Sequence, residues 1–326
     1  MSLKVNHVTR ALSFIALVLL NMGCEAPLNL TGIEKEKSLI THRFDQFQAS
    51  ASINNVVVVV GTNGVILSSE DSGALWQRKQ LPEKSTLIDV VSCANGSFAA
   101  LSAERELWVS TDSAQSWQAH HINTRESVTS LGCSANNTLW IGGSFSTLLS
   151  SKDPSSGWSE FSLGEDATIT EIQFVDENNA YMLGEFGLVL YSNDNGKNWQ
   201  QLDYLPNELY PQAALFLDPA VGFVVGLNGK ILSTHDGGQT WVSETTETEN
   251  PLFGLSQLDG DLYAVGENGV LLKRQGSRWK NIPHNKQARS YLRAIQPLDN
   301  NQLLLAGGGT MFKFSPKHIE TSAVEK

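Results

Sequence analysis

The 326-residue chain carries 34 acidic against 23 basic side chains, a net charge of −11 and a pI near 5.1. That balance excludes nucleic acid and anionic membrane surfaces as main partners, because both are held by clustered Lys and Arg, and no basic run exceeds two residues, as in Lys273-Arg274. With 41% hydrophobic residues, 27 Gly and only 10 Pro, the composition is that of a soluble globular protein built on tight turns rather than long helices.

Residues 1–23 read as a signal peptide. Lys4 and Arg10 precede an apolar run, Ala11 to Leu20, that is too short to span a bilayer stably. The next stretch, Leu20-Asn21-Met22-Gly23-Cys24, resembles a bacterial lipobox with Asn21 where leucine is expected, which makes Cys24 the acylation site. Ordinary cleavage into the periplasm is the alternative. A triacylated cysteine would anchor the chain stably, and Glu25 after it favours the outer membrane. Residues 24–37 are then a tether and closing strand, 38–318 the folded body and 319–326 a tail.

From residue 76 onward a repeat dominates. Trp76, Trp117, Trp158, Trp199, Trp241 and Trp279 recur at intervals of 38 to 42 residues, the period of propellers and other arrays. Each closes a Ser/Thr-x-Asp-x-Gly-x-x-Trp box, complete at 69–76, 192–199 and 234–241. The box keeps Asp112 but has Ala114 for Gly at 110–117, keeps Asp153 but has Ser155 at 151–158, and has decayed to Lys273–Trp279 in the sixth copy. The chemistry is that of a turn. A short carboxylate accepts from its own backbone N–H groups, Gly takes the positive φ, and the indole packs on a neighbouring sheet. Asp71, Asp112, Asp153, Asp194 and Asp236 are therefore read as structural rather than catalytic.

Upstream of each box an apolar run enters a Gly-rich hairpin and leaves again, as in Val56–Leu67, Met182–Leu190, Val224–Leu232 and Ala264–Leu272. A weaker apolar strand precedes each. Every unit thus supplies four antiparallel strands, one propeller blade. The seventh copy, Leu303–Phe314, ends before a fourth strand. The expected fold is an all-β, seven-bladed β-propeller, closed by a strand from Leu28–Phe44 pairing beside Met311–Phe314, since an unpaired edge invites aggregation. Cys93 and Cys133 occupy matching places in neighbouring repeats. They form either a disulfide or two buried thiols, and the thiols are expected because matching places can lie farther apart than a bridge tolerates.

With the Gly-x-Asn-Gly turn, the Leu-x-Ser strand and the Asp-Gly-Gly-x-x-Trp box in register, best in Val225–Trp241 and Leu183–Trp199, residues 38–316 resemble the photosystem II stability and assembly factor family. The resemblance implies a seven-bladed propeller that binds folding intermediates of a membrane complex without catalysis. It also extends to non-photosynthetic bacterial relatives associated with exporters of the resistance-nodulation-division type. Photosynthetic members carry an arginine cluster on one face. Here the candidates for partner binding are Arg289, Arg293, Arg43, Arg274 and Arg278, while the middle blades contribute none.

The leading functional expectation is a monomeric, lipid-anchored, non-enzymatic scaffold or assembly factor for an envelope membrane complex, without cofactor or metal. A carbohydrate- or small-ligand-binding propeller is the second reading, with Trp108 and Trp140 able to stack on a ring although both sit in predicted strands. A sialidase-like glycosidase shares the box, but the arginines are wrongly distributed for a substrate carboxylate. No Cys/His spacing suits zinc, and Gly307-Gly308-Gly309 opens no phosphate loop.

Overall fold

The structure, a computed structural model, describes residues 31–82, 84–284 and 290–316. Two compact units are present, residues 1–39 and 40–326. In the first, Thr31–Lys37 forms a short helix whose Lys35 and Lys37 sit in the last turn, where positive charge suits the helix dipole. The Glu-Lys-Glu-Lys run prefers this helix to a strand. The expected closing strand is thus corrected: no strand pairs beside Thr310–Phe314 among the described residues, and that sheet has three strands. Contact there is made instead by an isolated bridge between Gln46 and Gly308 and by the Gly309 N–H donating to the Asp45 carbonyl at 2.7 Å.

The second unit is all-β and propeller-like. Four-stranded antiparallel sheets cover 47–80, 87–121, 128–162 and 169–201. An eight-stranded sheet follows. Its antiparallel halves, 211–246 and 252–281, are joined by a short parallel pairing of Thr245 and Thr246 with Arg278 and Trp279. Residues 292–314 form the three-stranded sheet. The first strands pack in a cycle: Phe47–Ile53 on Leu87–Ser92, then Val128–Cys133, Ile169–Phe174, Pro211–Phe216, Leu252–Leu258, Leu292–Leu298 and back to Phe47–Ile53.

Because both faces of each sheet are covered, second strands read as continuous apolar runs rather than alternating ones. In Val56–Gly61 the alternation is one of partners instead. Val57 and Val59 pack with Ala294, Leu298 and Leu304 of the last sheet, while Val58 and Val60 pack with Leu87, Val90 and Phe98 of the next. Each fully buried side chain of this kind is worth roughly 1.5–3 kcal/mol. Outer strands such as Gln77–Gln80 and Ser159–Ser162 are largely exposed and add little of this term. The core therefore lies between neighbouring sheets, over their inner three strands.

The Gly-x-Asn-Gly turns are explained by space and by φ. A Cβ on Gly61 would lie 2.4 Å from the Gln46 carbonyl oxygen, so the second strand can approach the entry to the first only without a side chain. The middle turn residue adopts positive φ in five equivalent turns. It is Asn at 63, 228 and 268, a residue that tolerates this region, but Phe at 145 (φ 54°) and 186 (φ 58°). Both phenylalanines are more than half exposed.

Cys93 and Cys133 are joined in a disulfide with Cα atoms 5.5 Å apart, which corrects the expectation of thiols. Both stand at or just beyond the ends of first strands that pack against each other in adjacent sheets.

Candidate functional site

The box residues are occupied by their own turns. Ser69 Oγ donates to Asp71 Oδ1 at 2.8 Å, Gly73 N–H donates to Ser69 Oγ at 2.8 Å, and Leu75 N–H donates to Asp71 Oδ1 at 2.8 Å. The same triangle holds Asp194 through Ser192 and Asn198, and Asp236 through Thr234 and Thr240. Hydrogen bonds led by the Ser116 and Thr240 side chains hold Asp112 and Asp236 down to about 2, and donors from the turn likewise lower Asp71, Asp153 and Asp194. A carboxylate so saturated is a poor proton carrier at neutral pH. Trp76 and Trp241 donate their indole N–H to Gly73 and Gly238 carbonyls at 3.0 and 3.1 Å. Those of Trp117, Trp158 and Trp199 are buried without a partner among the described residues.

The candidate arginines are not brought together. Arg274, in the third strand of its sheet, is tied to Glu244 through Nε at 2.9 Å and Nη2 at 2.7 Å, with its guanidinium 4.9 Å from the Phe223 ring centroid. Glu244 also accepts from Trp279 Nε1 at 2.7 Å, so the decayed sixth box is replaced by a buried ionic clasp. Arg278 lies on the outer strand at the parallel seam, and Arg43 stacks on Phe44, 4.5 Å from its centroid. Arg289 and the lipidation candidate Cys24 lie outside the described residues. Trp108 is buried core; Trp140 packs edge-on against Trp199 at 5.9 Å and near Phe174 at 6.0 Å.

Among the described candidate arginines, only Arg293 reaches the centre. In each first strand the register slips by one residue directly after the first pair, for example between Phe47 and Ala49, Ile169 and Glu171, and Leu292 and Ala294. The skipped residue is a β-bulge, which re-aims its side chain. These residues, Gln48, Ile88, Thr129, Thr170, Gln212, Phe253 and Arg293, all line a central cavity of about 200 Å3. Arg293 lies 5.8 Å from the Phe253 ring centroid. Tyr291, which accepts from Gln48 at 3.2 Å, stands edge-on to the same Phe253.

One residue further along, Asp89 and Glu171 enter the same cavity. Asp89 accepts from the backbone N–H of Leu131 and of Val90, both at 2.8 Å, stitching one first strand to the next. Burial pushes Asp89 up to about 6 against those bonds and the nearby Arg293. Burial, reinforced by the charge of Asp89, pushes Glu171 up to about 8. The sequence reading overlooked both. Their signal was a lone carboxylate inside an apolar strand, Leu87-Ile88-Asp89-Val90 and Ile169-Thr170-Glu171-Ile172. Among the described residues no group of His, Cys, Asp and Glu is arranged to hold a metal. The arrangement presents one guanidinium, flanked by aromatic rings, over a neutralisable acidic floor, and suits a carboxylate or backbone carbonyl of a bound segment.

The fold is shared with solved structures of low identity. A structure described as YCF48 bound to D1 peptide matches with a TM-score of 0.57 and 18% identity over 70% of this chain and 77% of that one. YCF48 from Cyanidioschyzon merolae matches at 0.64 and 14%, over 86% and 97%. Virginiamycin B lyase from Staphylococcus aureus matches at 0.72 and 11%, over 84% and 96%, so the same scaffold also carries an enzyme. No curated protein matches the sequence. The family model for the photosynthesis system II assembly factor YCF48 matches residues 45–211 and 204–315, nearly the whole β unit, and the chain belongs to that family.

Proposed function

We propose that this protein is a non-catalytic assembly or stability factor that holds a segment of a membrane protein while its complex is built. Family membership carries the reading, together with a relative whose structure is described as bound to D1 peptide. Counting the two halves of the eight-stranded sheet separately, we read the fold as seven blades, with the partner segment held at the bulged ring around Arg293. In this reading Cys24 is acylated, the chain is tethered to the periplasmic side of the envelope, and the client belongs to a membrane complex, such as an exporter of the resistance-nodulation-division type.

The test is a photo-crosslinking amino acid at position 253, beside Arg293, in protein expressed in its source cells. A membrane protein should be captured, and Arg293→Glu should abolish the adduct in protein that circular dichroism shows to be folded. An adduct unchanged by Arg293→Glu, or none to any membrane protein, would refute the reading. Cys24→Ser should move the protein from the membrane to the soluble fraction.

A further inference from the structure

Neighbouring sheets leave grooves between the outer strand of one and the turns of the next. Two of them have volumes of about 590 and 460 Å3. The groove between the 169–201 sheet and the 211–246 half-sheet is about 1090 Å3. Its enlargement has a local origin. Where other outer strands run four or five residues, this one is regular only over Gln200–Gln201. The chain then follows its neighbour loosely, with Leu202 N–H donating to Val189 and Leu205 N–H to Gly187.

Tyrosines form the floor and rim. Tyr181 and Tyr191 are a cross-strand pair with ring centroids 5.0 Å apart. In the two flanking sheets the position of Tyr191 is held by Ser150 and Ser233. Tyr181 is fixed by stacking on Phe216 at 3.6 Å and by donating to the Pro219 carbonyl at 2.7 Å. Tyr204 stands at the rim, 50% exposed. Gln200, Gln201, Asp203 and Gln239 line the same groove, and their side chains make no hydrogen bond within the described protein.

We infer that this groove binds a neutral oligosaccharide. A sugar ring offers a C–H face that suits an exposed aromatic plate and hydroxyls that both donate and accept. Amide side chains match such hydroxyls with donor and acceptor in one plane, and Asp203 adds acceptors. No Lys, Arg or His lines the groove, and its two charged residues, Asp203 and Asp236, are acidic, which disfavours anionic sugars and phosphates. The carboxylates and amides among its lining disfavour lipid. The inference does not rest on the partner segment held at the central cavity, because Arg293 is absent from this groove.

Titration of the full chain with cellohexaose, maltohexaose and the N-acetylglucosamine hexamer, followed by calorimetry and by quenching of intrinsic fluorescence, tests it. At least one should bind with a Kd below ~1 mM, about 4 kcal/mol or better. Tyr204→Ala should weaken that binding at least ~10-fold and leave Tm within about 1 °C, since its ring is exposed. Gln200→Ala should weaken it as well, whereas Arg293→Glu should not. Failure of all three glycans, equal binding by Tyr204→Ala and wild type, or binding of tetramethylammonium in their place would overturn the assignment.

Discussion

Replacing Arg274 by alanine should cost about 3–5 kcal/mol at neutral pH, the usual penalty for stranding one member of a buried ion pair. The Glu244 side chain is 3% exposed and receives two bonds from the guanidinium and one from the Trp279 indole. Without Arg274 a buried charge keeps only neutral donors, the Trp279 indole and the Ser233 hydroxyl. With an unfolding entropy of about 0.6 kcal/mol/K for a chain of this size, the loss is a fall of about 5–8 °C in Tm, measurable by calorimetry. Burial alone would raise the Glu244 carboxyl, but the bonds from Arg274 and Trp279 outweigh it and hold it below its ordinary value. A lowered acid contributes stability that is present above its unfolded value, about 4.3, and lost as pH falls through the folded one. The gap between wild type and Arg274→Ala should therefore close below about pH 4, and Glu244→Gln added to Arg274→Ala should recover part of the loss. A variant melting within 1 °C of wild type at pH 7, or one that loses its partner at unchanged Tm, would refute the clasp and return Arg274 to the binding surface.

The Cys93–Cys133 bridge closes a loop of 40-residue separation, worth about 4 kcal/mol in the chain-entropy account. Cys93→Ala/Cys133→Ala should accordingly melt about 6 °C below the oxidised protein and ignore reductant; equal melting would show the bridge to be idle. Asp89 and Glu171 are raised by burial, so the native state holds their protons and stability is lost as pH rises from about 4 through the folded values of about 6 and 8. Glu171→Gln should gain on wild type between pH 5 and 8.5, and a difference that is flat with pH would contradict this. Phe145 and Phe186 adopt a left-handed conformation that costs a bulky residue roughly 1–2 kcal/mol while leaving more than half of each residue exposed. Phe145→Asn and Phe186→Asn should each raise Tm by about 1–2 °C, and a drop would mean that the rings support the turn.

The propeller was legible because its repeat is written in turn chemistry. A Ser-x-Asp-x-Gly-x-x-Trp string can be satisfied locally, as Asp71 and Asp236 are. What depends on closure was not legible. The Cys93–Cys133 bridge follows from how tightly two first strands approach, a distance that no spacing encodes. The candidate arginines other than Arg43 fall in the C-terminal third of the sequence, yet Arg274 meets Glu244 of the preceding half-sheet and Arg293 turns inward at a bulge. A one-residue slip of register is invisible in an apolar strand. It decides whether Asp89, Glu171 and Arg293 share a cavity.

The joint between the last and first sheets has a consequence for how the chain is made. Val57 and Val59 pack with Ala294, Leu298 and Leu304 of the last sheet, and Gln48 and Ser52 find Tyr291 and Gln296 across some 240 residues of sequence. During synthesis the first sheet therefore waits with one apolar face bare until nearly all of the chain has emerged. A nascent chain stalled before residue 292 is an open ring with two sticky ends, and it stays exposed to mispairing with other chains until its final strands arrive.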